Sequence, residues 1–228
     1  MRNIRVVIKK QLKDTVKNKT IFIQFILFPL LTLIMENAVH LEDMPEHFFT
    51  VLFSVMYVGM APLSTVASII SEEKEKNTLR VLMMANVKPF QYLVGVGVYV
   101  WMICMVGAGV ISTGLAGEDV LLYLSVMGIG FLLSILAGAC VGVIARNQMM
   151  ATSLVMPVMM LLAFMPMLAL FNDKIEKVAG VLYTKQIQEV LEKMSFSAFD
   201  RKKVAIMAVN VVILIIVFSI SYKRKGLE

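Results

Sequence analysis

Charged residues are scarce in this chain: Asp, Glu, Lys and Arg make up 17% of its 228 residues, whereas 59% are hydrophobic. Soluble domains contain about 25% charged and about 45–50% apolar residues. One soluble core of this size has no room for so much apolar surface, and the mean hydropathy of +0.81 points the same way. The composition therefore predicts an integral membrane protein.

Residues that build other classes of protein are also few, with 2 Cys, 6 Pro and 13 Gly in the chain. These numbers exclude a disulfide scaffold, a collagen and a disordered chain. The nucleotide-binding loop Gly-x-x-x-x-Gly-Lys-Ser/Thr is missing, as are a nucleophile–base pair and a regular set of metal ligands. We therefore expect no enzyme activity, no metal site and no cofactor within this chain.

Long charge-free apolar runs are what the sequence has in abundance. A helix that crosses the hydrocarbon core of a bilayer needs about 20 such residues. Candidate spans lie at about residues 20–38, 48–71, 89–116, 120–145, 148–171 and 204–222. We predict an all-α integral membrane protein with six transmembrane helices, in which residues 20–222 form the transmembrane domain. Polar-patterned residues precede the first run, so we interpret it as a retained helix and not as a signal peptide.

Lys and Arg are distributed unevenly among the connections, and this asymmetry predicts the orientation. Residues 1–19 carry seven of them, residues 72–88 carry four and the tail 223–228 carries three, whereas residues 36–46 and 118–119 carry none. We expect both termini to be cytoplasmic in a multi-pass protein of a prokaryotic cell membrane. The net charge of +6 follows from this topology and needs no nucleic acid to explain it.

The connection at residues 172–203 departs from this rule, because it holds seven bases although six spans place it outside. Long connections follow the rule only weakly. A five-span alternative places this connection inside and the tail outside. Residues 173–195 show two short apolar faces, so we expect two external helices that rest on the outer leaflet and close the extracellular mouth, or else a plain amphipathic loop.

Apolar residues recur at three- or four-residue steps in residues 1–19, with Lys and Arg on another face. A basic helix with an apolar stripe lies in the cytoplasmic interface of a membrane. We predict an amphipathic interfacial helix in this segment. It serves either as a topology anchor or as a lever that also contacts a cytoplasmic partner.

Small residues repeat every four positions in the fourth span, at Gly130, Ser134, Gly138 and Gly142. Helices in lipid associate through close approach of their backbones, so this stripe predicts a helix-packing face. Lining a pore is the alternative interpretation.

Two prolines interrupt the fifth span. Pro157 and Pro166 each remove a backbone donor and bend the helix. We interpret this segment, with Phe164, as a hinge along a substrate route; simple kinks for packing are the alternative. The spans hold no ionisable residue deep inside them, which argues against ion-coupled transport.

The stretch between the second and third spans, residues 71–89, is the most distinctive part of the sequence. Asn77 tolerates a left-handed backbone and is expected to end the helix of the second span. Thr78 is then expected to cap a short helix that ends at Asn86, and Pro89 suits the first turn of the next span. The apolar residues that share one face of the short helix are Leu79, Leu82 and Met83. An apolar face presented to the cytosol indicates docking into a partner's groove.

The segment Glu73-Lys74-Glu75-Lys76-Asn77-Thr78-Leu79 resembles the Glu-basic-Glu-x-Gly-Thr-Leu motif in the permease subunits of ABC-2 type ATP-binding cassette transporters, with Asn77 in the usual Gly position. The resemblance implies the ABC-2 type (type V exporter-like) permease fold with a coupling helix at residues 78–86. It also implies that a separate ATPase subunit contacts Glu73, Glu75, Asn77, Thr78, Leu79, Leu82 and Met83.

The same resemblance implies a transporter with two permeases, identical or paralogous, and two ATPase subunits that bind ATP and Mg²⁺. We expect this chain to export a hydrophobic or amphipathic substrate, such as a peptide, a lipid or a drug, by alternating access. The alternatives are an ion-coupled secondary transporter or channel, and a non-transporting membrane scaffold or immunity component.

Overall fold

The computed structural model describes residues 2–17, 19–39 and 45–225, and every regular element in these ranges is a helix. The helices are α1 (Arg2–Lys17), α2 (Lys19–Ala38), α3 (Phe48–Glu75), α4 (Thr78–Met84), α5 (Pro89–Ile111), α6 (Gly117–Ile144), α7 (Gln148–Met159), α8 (Met165–Leu168), α9 (Asp173–Ala179), α10 (Tyr183–Lys193) and α11 (Arg201–Lys225). The predicted all-α class is confirmed for the described residues.

Five helical segments are long and apolar enough to cross a membrane: Phe48–Glu75, Pro89–Gly114, Gly117–Ile144, Gln148–Leu168 and Arg201–Arg224. They correspond to the second to sixth predicted spans and support a multi-pass membrane protein. The first predicted span corresponds to α2, whose apolar part, residues 22–38, is shorter than a full span. A crossing of the membrane by α2 therefore stays a prediction.

α2 and α3 meet where the chain turns between them. The backbone N–H of Thr50 donates to Oε2 of Glu36 at 2.9 Å, and this bond joins the end of α2 to the start of α3. α2 also packs along α3 and α5. It therefore lies beside the long helices and antiparallel to α3.

α3 is the central helix, and its closest neighbour is α6, which runs parallel to it. At Gly138 of α6, an added Cβ would lie 2.5 Å from the Leu63 carbonyl oxygen of α3. Nearer the start of both helices, the Ser54 and Tyr123 hydroxyls share a hydrogen bond of 2.6 Å. Close backbone approach of this kind stabilises helix pairs in lipid, where the solvent is as apolar as the side chains.

The segment between α8 and α11 enters the bundle. The Tyr183 hydroxyl, at the start of α10, hydrogen-bonds the hydroxyl of Ser134 at 2.6 Å, midway along α6. Gly130, one turn nearer the start of α6, lies against Ile187. α10 therefore runs outward from the middle of the bundle. Two helices are present as predicted, but the prediction that both rest on the outer surface is wrong for α10, because α3, α6 and α11 bury it.

A wide helical turn, residues 160–164, joins α7 to α8. It rests on α3 at Gly59, where an added Cβ would lie 2.9 Å from the backbone of Ala163. Pro157 lies inside α7 and Pro166 in the first turn of α8, directly after the wide turn. The two prolines singled out in the sequence thus flank the wide turn, which interrupts the regular helix.

α11 is attached to the rest of the chain along a narrow strip, and most of its apolar surface is exposed. Its backbone accepts a hydrogen bond of 3.4 Å from Cys140 Sγ at the Leu214 carbonyl. Nearer its start, Asn210 Nδ2 donates to the Val181 carbonyl, between α9 and α10, at 2.8 Å. An exposed apolar helix of this length fits a position in contact with lipid.

Candidate functional site at the α4 end of the bundle

Six elements meet at one end of the bundle, which we call the α4 end: α1, α4, the last turns of α3 and α6, and the first turns of α5 and α7. This end contains the segment singled out in the sequence, residues 71–89. The Lys and Arg distribution predicts that it faces the cytoplasm.

The turn between α3 and α4 is built around Asn77, which has a φ of 55°. Its N–H donates to the Lys74 carbonyl at 3.1 Å, which ends α3. The predicted left-handed stop at Asn77 is confirmed, and Asn is one of the few side chains that accept this backbone at low cost. The predicted cap at Thr78 is wrong: Thr78 is the first residue of α4, and its hydroxyl donates back to the Glu73 carbonyl at 3.3 Å.

The other end of α4 is closed by a Schellman motif. Asn86 has a φ of 66° and donates to the Met83 carbonyl at 3.0 Å, while the N–H of Val87 donates to the Leu82 carbonyl at 3.1 Å. The buried Val87 side chain completes the motif. Pro89 is the first residue of α5, so both predictions for this end, Asn86 and Pro89, are confirmed.

The faces of α4 differ from the predicted ones. Leu79 is only 1% exposed and packs inside this chain, and Leu82 and Met83 are half-buried against the same core. The outward face carries Val81, 59% exposed, and Met84, 73% exposed. An apolar outward face is present, but it consists of other residues than the sequence pattern indicated.

Glu73 is turned into the chain, where it is 5% exposed and holds α1 on α3. Its Oε1 accepts hydrogen bonds from Lys10 Nζ and, at 2.6 Å, from Gln11 Nε2. The Tyr92 side chain of α5 also lies beside this carboxyl group. Burial alone would lower the pKa of Lys10, but the Glu73 and Asp14 carboxylates raise it above its ordinary value, so Lys10 stays charged.

The two residues that follow Glu73 attach α3 to the connection between α6 and α7. Lys74 Nζ donates to the Val143 carbonyl at 2.9 Å, at the end of α6. Glu75 Oε2 accepts from the backbone N–H of Gln148, the first residue of α7, at 2.9 Å. A cation thus meets a helix C-terminus and an anion a helix N-terminus, which is the favourable arrangement for both helix dipoles.

α1 also touches the end of α4 directly. Asn3 Nδ2 donates to the Asn86 carbonyl at 3.1 Å and to Gln91 Oε1 of α5 at 3.0 Å. Val7 is fully buried against Gly95 of α5, where an added Cβ would lie 2.8 Å from the Val7 side chain. α1 is therefore packed on the helix ends as well as carrying a basic face.

The predicted hinge residues occupy three different environments: Pro157 is exposed, Phe164 is half-buried and Pro166 is buried. The exposed face around Pro157 carries Met149 and Met156 of α7 and Met160 at the start of the wide turn. The sequence did not indicate which face of this helix would be uncovered, because nearly all of its residues are apolar.

The four small residues of α6 lie on two neighbours. Gly138 and Gly142 contact α3, at Leu63 and Ile70; Ser134 contacts α10, and Gly130 lies against both Ile187 of α10 and Val58 of α3.

Sequence reasoning missed the cross-links of Lys10 and Gln11 to Glu73, since residues more than sixty positions apart leave no local signal. It also missed Lys185 in α10, which is 4% exposed inside the bundle. The only available signal was the unusual number of bases in residues 172–203.

Metal ligands do not cluster in the ranges that the structure describes: no group of three or more His, Cys, Asp and Glu side chains lies close enough together there to hold an ion. No family model and no curated protein sequence matches this chain. Functional inference therefore depends on the geometry of the α4 end and on the motif in residues 73–79.

Proposed function

We propose that this chain is the transmembrane permease subunit of an ABC-2 type ATP-driven transporter, and that α4 is the helix through which a separate ATPase subunit drives it. The observation that supports this most strongly is α4 itself. A seven-residue helix, held at both ends by left-handed Asn residues, presents Val81 and Met84 outside the spans. Isolated helices of this length do not persist in water, so its fixed position depends on these attachments.

The attachments explain how a displacement of α4 would reach the spans. α4 connects to α3 through the tight turn at Asn77 and to α1 and α5 through Asn3. α3 in turn is joined to α6 and α7 through Lys74 and Glu75. A partner that pushes on α4 therefore acts on the ends of most helices at once.

The contact surface for the ATPase subunit is revised accordingly. Val81, Met84 and the exposed Arg80 face outward and are proposed to dock. Glu73 and Leu79 are buried and act as positioning residues, which hold α4 in place. The edge of this proposed contact surface is formed by Glu75, Asn77, Thr78, Leu82 and Met83.

The remaining parts of the transporter follow from the same proposal. ATP and Mg²⁺ are bound by two copies of the ATPase subunit, and a second permease, identical or paralogous, completes the route through the cell membrane. Both termini are cytoplasmic, with α2 as the sixth crossing. The uncovered methionine-rich face of α7, next to Pro157 and the wide turn, is the side of the chain that lines the route for a hydrophobic or amphipathic substrate, because Met adapts to varied apolar shapes.

Met84→Asp and Val81→Asp test the proposal. Each places a charge in the proposed apolar contact, so recovery of a nucleotide-binding protein with the tagged permease from native membranes should fall about ten-fold or more, as expected for central interface residues. Membrane insertion should be unchanged. Phe171→Asp is the matched control, because Phe171 is 77% exposed at the opposite end of the bundle.

The proposal fails if wild-type protein brings no nucleotide-binding partner with it, or if Met84→Cys reacts with a membrane-impermeant thiol reagent from outside the cell. Equal partner recovery with all three aspartate variants would remove α4 from the contact.

One observation favours a second candidate, an ion-coupled carrier. Lys185 is an ionisable residue inside the bundle, and such residues often mark ion or proton pathways. Transport by purified protein in vesicles without ATP, abolished by Lys185→Met, would support this candidate.

A further inference from the structure

A cavity with a volume of about 340 Å³ lies at the end of the bundle opposite α4, between the start of α3, the residues after α8 and the second half of α10. We call it the outer cavity. Ligand pockets in proteins range over about 300–1,000 Å³, so its size suits a small molecule. Its floor is apolar and is formed by Phe48, Val51, Leu52 and Leu170.

The described polar lining of the outer cavity consists of Glu46, Gln188 and Glu192. Gln188 already uses both ends of its amide: Oε1 accepts from Lys185 Nζ at 3.4 Å, and Nε2 donates to Glu192 Oε1 at 2.9 Å. The groups left for a ligand are therefore carboxylate oxygens, which accept hydrogen bonds and donate none when ionised.

Two basic residues close to the outer cavity, Lys185 and Lys203, contact residues of α10. Lys185 is buried three residues before Gln188, and its Nζ donates to the Gln188 side chain behind the lining. Lys203 forms an ion pair with Glu189 at 2.9 Å. Neither lysine is part of the cavity lining, and Glu46 and Glu192 are the charged residues of the lining that the structure describes, so this described part of the rim is acidic.

We infer that the outer cavity binds a small hydrophobic ammonium compound. Its apolar body lies on Phe48, Val51 and Leu52, and its positive group lies between Glu46 and Glu192. An anionic amphiphile of the same size is rejected by the two carboxylates, and a neutral one gains only the apolar contacts. The site is inside one chain and needs no ATPase subunit, so it goes beyond the proposed function and stands or falls separately from it.

Benzyltrimethylammonium is a suitable probe, because it is soluble in water and smaller than the cavity. Binding is measured by isothermal titration calorimetry with the full chain in nanodiscs of zwitterionic lipid. We expect saturable binding of this cation, no saturable binding of benzylsulfonate, and no heat of binding with empty nanodiscs. Saturable binding of the sulfonate with equal affinity, or no binding of the cation, overturns the inference.

Variants distinguish the cavity from the lipid around it. Glu192→Gln and Glu46→Gln should each weaken binding of the cation about five-fold, which corresponds to one partly exposed ion pair. The double variant should weaken it about twenty-fold or more, and Leu52→Trp should abolish it by filling the floor. Glu176→Gln is the matched control, since Glu176 is an exposed acid of α9 outside the lining. Unchanged affinity in the double variant and in Leu52→Trp, with normal thermal stability, places the cation elsewhere and overturns the site.

Discussion

The α4 end and the middle of the bundle are held together by different kinds of contact. At the α4 end, charged and amide side chains join the helices, as Lys10 and Gln11 do at Glu73. In the middle of the bundle, α6 and α10 meet through Gly130 and a hydroxyl pair in a close-packed contact. Water or a partner can replace a polar cross-link, whereas a close-packed contact tolerates little displacement. We therefore expect rearrangement at the α4 end and a stiff core beside α10.

The largest expected effect tests the stiff core. Gly138→Ala places a methyl group 2.5 Å from the Leu63 carbonyl oxygen, so the free energy of unfolding should fall by about 3 kcal/mol. Thermal unfolding in detergent, followed by circular dichroism, measures the loss. Gly109→Ala is the control, because nothing lies within 4 Å of its added Cβ, and it should be neutral or slightly stabilising. Equal unfolding of the two variants would show that α3 and α6 do not pack this closely.

At the α4 end, Glu73→Gln removes the buried anion beside Lys10 and should weaken the docking of α1 by about 2 kcal/mol, since the partly buried Lys10 then keeps only the exposed Asp14 of its own helix as a partner. Amide hydrogen exchange in α1 should become about thirty-fold faster while exchange in α10 stays constant. The control is Glu72→Gln, which breaks the exposed pair with Lys76 one residue away and should change little. Faster exchange throughout the bundle would contradict a local role.

A smaller effect is expected for the hydroxyl pair of α6 and α10. Ser134→Ala leaves the buried Tyr183 hydroxyl unpaired and should cost about 1 kcal/mol of unfolding free energy. The double variant with Tyr183→Phe should recover part of this cost, so a double-mutant cycle gives the coupling. Ser125→Ala is the control, because Ser125 bonds only to the Leu121 carbonyl of its own helix. A coupling of zero would mean that the hydroxyls do not meet.

The smallest expected effect is on how the stability of the fold depends on pH. Burial lowers the pKa of Lys10, but the Glu73 and Asp14 carboxylates raise it above the ordinary 10.5 on balance. Docking of the charged lysine therefore contributes stability that is fully present below pH 10.5 and is lost as the pH rises through the folded-state pKa. The difference in melting temperature between the wild type and Lys10→Met should be constant near neutral pH and shrink in strong alkali. A difference that stays constant in strong alkali would contradict this assignment.

The sequence predicted features that depend on neighbouring residues. The ends of α4 are set as expected by Asn77, Asn86 and Pro89. A left-handed stop and a fixed φ are properties of single residues, so neighbouring sequence is enough to predict them. Long apolar runs likewise predicted the five long helices, since length and hydropathy alone define a candidate span.

Features that depend on distant parts of the chain were not predictable. An amphipathic pattern in α10 fits a helix on a membrane surface and equally one between other helices, and only contacts such as Tyr183–Ser134 distinguish the two. In α4, seven residues make two turns, so the pattern did not indicate whether Leu79 or Met84 faces outward. Glu73 fits the docking motif in sequence, yet its partners are in α1.

Most of the apolar surface of α11 is exposed, so wherever acyl chains cover it in a bilayer, the bilayer thickness affects its tilt more than its few protein neighbours do. Asn210 of α11 is bonded to the Val181 carbonyl between α9 and α10. A thinner membrane that tilts α11 would therefore also displace the connection between α9 and α10. Lipid composition would in this way affect the half of the protein opposite α4.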